Sequence, residues 1–292
     1  MEDNNENMFT LMPMNQNIDL KPGETYEGSI TIVNPTDAKS DFAYKTTITP
    51  YGVDGEDYTA ILDPGYATER TSMSKWIKIE EPTGKVKPNE SKEIKFSIKV
   101  PENAAGGGQY ATIAVSSDQG ASNSDGVAVQ NVFEMASIIY ATVDGDIIHE
   151  GSILENNVPQ FVTSTPVTIS ARIENKGNVH ETATFTIEVS DFFTGNVILP
   201  TEENTGTYAE IIMPETTRDV QREVNNLPSL GVVKVKQSIY YQGEVSTVEK
   251  DVIICPIWFL VLVLVTIAAI VTTIVTIIRK HHKKKNRTVS DL

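Results

Sequence analysis

The 292 residues suffice for two domains of ordinary size, and a hydrophobic fraction of 40% allows a packed core, which excludes wholesale disorder. A single cysteine, Cys255, excludes a disulfide framework and a thiolate metal site within the chain. Setting aside the six bases and one acid of the tail from Arg279, residues 1–251 hold 18 Lys and Arg against 38 Asp and Glu, a net charge of −20; such a surface repels phosphate backbones, excludes nucleic-acid binding, and leaves solubility or a basic partner as the meaning of the charge.

In chain order, Met1 to Met14 has neither a basic n-region nor a long apolar stretch, so it does not read as a secretory signal. Ser29–Asn34 then alternates apolar and polar residues, and Pro35-Thr36-Asp37-Ala38 follows as a turn. Phe42–Ile48, Trp76–Ile79, Glu93–Val100, Tyr110–Val115 and Val127–Val143 continue the period of two, with β-branched and aromatic enrichment. That number of short strands predicts a β-sandwich over residues 8–143.

Between two of these strands, Tyr51 to Ser74 is long for a sandwich connection, and long loops often carry function. Tyr51, Tyr58 and Tyr66 are its candidate binding residues, since a phenol pairs an apolar face with a polar tip suited to a sugar or a protein surface. A second reading stays open, in which the rings tack the loop onto the sheet; replacing all three with alanine separates the two. Gly106-Gly107-Gly108 is neither a P-loop nor a dinucleotide fingerprint, because no Lys-Ser/Thr pair follows, and it reads as a strand connection.

The second half repeats the plan. Val167–Asn175 matches Ser29–Asn34: a strand ending in Asn, a turn at Lys176-Gly177-Asn178, then a Thr-rich strand, Thr182–Val189. Pro88-Asn89-Glu90-Ser91 opens a strand that ends at Pro101, before Gly106–Gly108 and another strand. Pro214-Glu215-Thr216-Thr217 opens one that ends near Pro228, before Gly231 and another strand. Proline is confined to strand starts and edges, so the matched order punctuates one topology twice. The expected fold is all-β: two tandem immunoglobulin-like β-sandwich modules, 8–143 and 144–251, with a boundary near Asp144-Gly145, plus one C-terminal transmembrane helix.

Val252 to Ile278 contains no charged side chain, and Pro256 suits a helix start. The expectation is a transmembrane helix over 252–278, with Trp258 as an interface anchor, and a basic tail over 279–292. Six bases after the helix against Glu244, Glu249 and Asp251 before it place the tail in the cytoplasm and the large region outside. An external region needs a signal, so a missing signal is the expectation; a mis-assigned start and a tail anchor of opposite orientation are the alternatives. Ala268, Thr272 and Thr276 form a small-residue stripe, a candidate face for homo-oligomers.

Catalytic and metal signatures are absent from the sequence. Of four histidines, His281 and His282 lie in the tail and His149 and His180 are isolated, with no zinc spacing and no Gly-x-Ser-x-Gly elbow. Asp54-Gly55-Glu56-Asp57, Asp125-Gly126 and Asp144-Gly145-Asp146 complete no EF-hand and read as turns rather than calcium ligands. No enzyme, cofactor or metal site is expected.

The segments Leu20–Thr36 (LKPGETYEGSITIVNPT) and Val86–Val115 (VKPNESKEIKFSIKVPENAAGGGQYATIAV) resemble the bacterial WxL-interacting surface protein family. The resemblance implies two extracellular immunoglobulin-like modules, a transmembrane helix and a basic tail, with the first module associated with peptidoglycan and the second with partner or host proteins. Taken together, the leading expectation is a membrane-anchored, non-catalytic cell-surface binding, adhesion or scaffold protein of a bacterium, single-pass, engaging cell-wall glycan or a protein. The alternative is a structural or assembly-accessory subunit of a membrane complex.

Overall fold

A computed structural model describes residues 9–38, 40–124 and 127–290, and the side chains among them except those of 118–124, 127–132 and 280–290. Most of the N-terminal segment, the Asp125-Gly126 turn and the side chains of the tail beyond Arg279 therefore lie outside the described residues. The architecture is a two-domain, immunoglobulin-like β-sandwich fold with a single apolar C-terminal helix.

Apart from a small two-stranded hairpin, the strands before Asp144 form two facing sheets. One contains Thr10–Met12, Thr25–Val33, Ser91–Lys99 and Ile77–Ile79 in that spatial order; the other contains Asn15–Leu20, Val127–Val143, Gly107–Ser124, Phe42–Pro50 and Thr83–Val86. Alternation decides which side chains face inward. In Ser91–Lys99, Ile94, Phe96 and Ile98 are buried while Lys95 and Ser97 between them are not. They meet Leu11, Ile30 and Ile32 of their own sheet and Leu20, Ile113, Val115 and Ile139 of the other in one core. Each such side chain contributes about 1.5–3 kcal/mol by leaving water. Among the described residues no sheet crosses Asp144: later strands form a separate sheet of Gly151–Asn157, Val167–Asn175 and Thr216–Val224, and another of Phe161–Val162, Glu244–Ile254, Gly231–Tyr241, Glu181–Asp191 and Val197–Leu199, to which Thr207–Ile212 also pairs.

By compactness the chain divides differently. One unit is Met1–Leu154 with Arg172–Ala183 and Glu210–Asp219; the other is Glu155–Ala171, Thr184–Ala209 and Val220–Leu292. Sheet membership thus changes near Asp144, whereas the first compact unit also takes in two later segments. The second unit has its own core, from Val158, Val167, Ile187, Val189, Val233, Val235, Val252 and Ile254.

The sequence echo has a structural counterpart. Asn34 is buried, and its Nδ2 donates to Ser40 O at 3.1 Å and Val86 O at 2.9 Å. Asn175 is buried likewise, with Nδ2 donating to Val179 O at 2.8 Å and Ile212 O at 2.9 Å. In both cases one acceptor lies two residues before the matched proline, Pro88 or Pro214. The residue after each proline is left-handed, Asn89 at φ 62° and Glu215 at φ 59°. Glycine opens the next strand each time with positive φ, Gly107 at 122° and Gly231 at 152°, which a Cβ would oppose.

Two boundaries differ from expectation. Tyr51–Ser74 is not an irregular loop: it contains the hairpin Gly52–Asp54 with Thr59–Ile61 and most of a 3-10 helix, Glu69–Lys75, capped by Thr68. The final strand runs to Ile254, so Val252–Ile254 belong to the sheet, because Val252 and Ile254 alternate into the core. The helix begins at Ile257, directly after Pro256, and continues past Ile278 to Ser290; Ile257–Arg279 is long and apolar enough to cross a membrane.

Candidate functional site

Two features of the first compact unit stand out, a tyrosine-lined cleft and an unusually long hairpin. The cleft has a volume of about 340 Å³ and is lined by Tyr51, Tyr66, Arg70, Tyr110, Met213 and Glu215 among others. Beneath it, Tyr51 and Tyr140 meet edge to face at 5.8 Å, and Tyr110 and Tyr140 at 6.0 Å. His180 packs against Tyr140 at 5.4 Å, with Nε2 3.2 Å from Asn17 Oδ1. Burial raises the Tyr110 and Tyr140 phenols above their ordinary range and lowers the His180 imidazole, so all three are neutral at pH 7.

The three rings singled out in the sequence have different fates. Tyr51 is 8% exposed and belongs to the buried aromatic cluster. Tyr58, at φ 58°, accepts a hydrogen bond from Met213 N at 3.0 Å and bonds Thr216 Oγ1, while the Arg218 guanidinium lies 4.6 Å from its ring centroid. Burial raises its pKa. Tyr66 is half-buried and covers Gly52, where any Cβ would meet its ring at 2.4 Å. Tyr51 and Tyr66 line the cleft, whereas Tyr58 is anchored away from its lining.

Arg70 is the cleft's cation. Its Nη1 donates to Asn178 O at 3.0 Å and its Nη2 to Glu215 Oε1 at 2.6 Å. The preceding turn is held by Gln109, whose Nε2 donates to Glu69 O at 2.7 Å and whose Oε1 accepts from Met73 N at 3.2 Å. The cleft's lining also includes Thr68, Glu69, Thr71 and Thr216. Among the described residues no group of three or more His, Cys, Asp or Glu gathers as for a metal ion. Arg70, Gln109 and His180 were not picked out from sequence as site residues; each acquires its setting from partners 30 or more residues away.

The hairpin joins Gly107–Ser124, 18 residues, to Val127–Val143, 17 residues, where an ordinary strand has about five or six. Phe42–Pro50 pairs with it only along Ala111–Ser117, and Asn15–Leu20 only along Ile138–Val143. Beyond those limits its arms pair with each other, from Asp118↔Val132 to Ser124↔Val127. Among the described residues, the ribbon's outer backbone edges there have no further strand. In the apolar helix, Thr272 Oγ1 donates to Ala268 O at 2.9 Å and Thr276 Oγ1 to Thr273 O at 2.8 Å, so these hydroxyls bond within their own helix.

No family model and no curated protein matches the sequence. Solved structures do. The class 5 fimbriae chaperone CfaA is similar at 14% identity and TM-score 0.40, over 83% of this chain and 99% of that one. The Salmonella enterica SafA pilin complex with the SafB chaperone gives 8% and 0.40, over 84% and 96%. The E. coli chaperone DraB gives 11% and 0.39, over 83% and 97%. At these values no residue role passes from them to this chain. The expectation of a membrane-anchored adhesion protein engaging cell-wall polymer is corrected on this finding: the similar structures are described as fimbrial chaperones, and the assembly-accessory alternative is taken forward in its place.

Proposed function

We propose that this chain is an assembly-accessory subunit of a membrane complex, non-catalytic, which holds a neighbouring protein through the edge of its long hairpin. The observation that carries the reading is the ribbon beyond Ser117 and before Ile138, whose arms, among the described residues, pair only with each other, with a register shift between Gln119 and Ser122. An unpaired strand edge is a template for another strand, and adding one supplies main-chain hydrogen bonds at once. Tyr51–Ser74 serves as packing at the ribbon's base rather than as the binding surface. The helix Ile257–Arg279 anchors the subunit in the membrane, and the bases that follow put the tail in the cytoplasm. Membership of the WxL-interacting family, expected from Leu20–Thr36 and Val86–Val115, belongs to the same proposal.

Amide exchange and adjacent proline substitutions test it. In the free chain, alternate amides of 127–137 exchange fast, and the same amides gain at least tenfold protection in the complex purified from native membranes. Of Val132→Pro and Phe133→Pro, neighbours in unbroken register with Asp118 and Ser117, one removes an outward N–H and the other a bond of the hairpin. The outward variant loses the partner while keeping the fold. Partner retention by both folded variants, with no change in exchange on complex formation, refutes the proposal.

A further inference from the structure

The end of the second compact unit that leads into the helix is apolar, and the segments that connect its strands there carry no charge. Strand register fixes which residues lie there. Gly231 pairs with Ile254, Val232 with Ile253, and Phe161 with Ile253. Asp191 pairs with Val233, and Phe192 N donates to Val232 O at 3.1 Å, so the turn after Asp191 reaches the same end. Three connections meet there, 157–166, 192–197 and 225–231. At the chain's 22% charged they would hold about five charged residues, and they hold none. Residues 252–258, the strand end and helix start, hold none either. Charge returns at Asp191, whose partner Val233 stands opposite Val252, two residues from Ile254 or about 7 Å along a strand, and whose carboxylate is engaged by its own turn; at Glu223, two residues before Asn225; and one row further back at the partners Lys234 and Asp251.

Large apolar side chains are exposed at this end: Phe193 at 77%, Phe161, Phe192, Leu230 and Ile253. The turn presenting the two phenylalanines is built, not slack. The Asp191 carboxylate accepts from Phe193 N at 3.0 Å, Thr194 N at 2.7 Å and Thr194 Oγ1 at 2.8 Å, and the two rings meet edge to face at 5.2 Å. Exposed aromatics on a rigid turn, in a chain otherwise this acidic, need an apolar or interfacial environment.

We propose that this end of the sandwich docks into the interface of the bilayer that the chain's own helix spans, with Phe192 and Phe193 inserted at headgroup level beside Phe161, Leu230 and Ile253. The occupant follows from continuity. Ile254 is the last strand residue and the apolar helix starts at Ile257, where Trp258 is exposed, so a spanning helix brings this end to the surface. The charge-free depth of about 7 Å, from Ile254 back to the row of Asp191, lies within the 5–10 Å to which interfacial elements sink. An uncharged rim lets a domain of net negative charge approach anionic headgroups. The inference rests on the helix being transmembrane, and the test separates the two.

The full chain is reconstituted into phosphatidylcholine vesicles containing lipid brominated high on the acyl chains, which quenches nearby indoles. One reporter combines Trp76→Phe, Trp258→Phe and Phe193→Trp; the control carries Trp76→Phe alone and keeps Trp258. Bromolipid lowers emission from both at least twofold if the turn is docked. Quenching of the control but not of the F193W reporter overturns docking while the helix reading stands. Quenching of neither removes the helix reading and the proposal with it. A blue-shifted, unquenched F193W emission assigns the turn to a protein partner and also overturns it. Leu230→Trp in the same background gives a second reading from another connection.

Discussion

Tyr58→Phe decides whether the tyrosines of the 51–74 segment are structural. The hydroxyl accepts from Met213 N at 3.0 Å, and Met213 is 5% exposed, so removing the oxygen leaves a buried amide without its acceptor. That costs about 1–3 kcal/mol. Thr216 keeps a partner, because its hydroxyl also donates to Met213 O at 2.8 Å. The ring and its contact with Arg218 persist in the phenylalanine. For a unit of this size each kcal/mol moves the midpoint by about 2–4 °C, so a central cost of about 2 kcal/mol lowers the Tm of the first unit by about 4–8 °C. The assay is calorimetry of the full chain in lipid nanodiscs, with amide exchange read at Met213. Tyr58→Ala falls further, by the lost ring burial and cation–π contact. Tyr51→Ala costs about 3–5 kcal/mol as a buried aromatic, so the triple alanine variant unfolds rather than merely losing a ligand. A Tyr58→Phe midpoint within 1 °C of wild type, with Met213 exchange unchanged, refutes the anchoring argument.

Asn175→Ala should cost about 2–4 kcal/mol in denaturant titration, since it strands two buried carbonyls, and Asn34→Ala about 1–3 kcal/mol, since Val86 O is buried but Ser40 is exposed; near-wild-type stability in either would dissolve the structural repeat. His180 gives a pH signature. Burial depresses its folded pKa, so above about pH 6.5 both states are neutral and no stability is at stake. As pH falls below the unfolded value, the unfolded chain takes up the proton first and stability drops until the folded pKa is reached. The midpoint measured between pH 7 and 5 should therefore fall more steeply in wild type than in His180→Gln, and parallel slopes would contradict it.

Much of this architecture was legible because it is written in short-range patterns. Alternation in Ser91–Lys99 needs only a period of two, and the Asn and Pro punctuation marks turns whose chemistry is local. Pro256 marked the helix start for the same reason. What escaped was set by partners far along the chain. The sequence left the tyrosines of Tyr51–Ser74 open between a binding surface and packing, because the partners of Tyr58, Met213 and Thr216, lie more than 150 residues later. Arg70 reads as a surface cation until Asn178 O and Glu215 close on it. Val252–Ile254 carried two readings in the sequence, the end of a last strand Val245–Ile254 and the start of the apolar span 252–278; pairing with Gly231–Val233 decides for the strand. The hairpin's open edge was equally hidden: Val127–Val143 read as strand throughout, but only register shows that Asn15–Leu20 stops at Ile138 and leaves the earlier half unclaimed. Backbone groups carry no signature in a one-dimensional sequence. Function that resides in an unpaired edge is therefore visible only once the neighbours that fail to cover it have been placed.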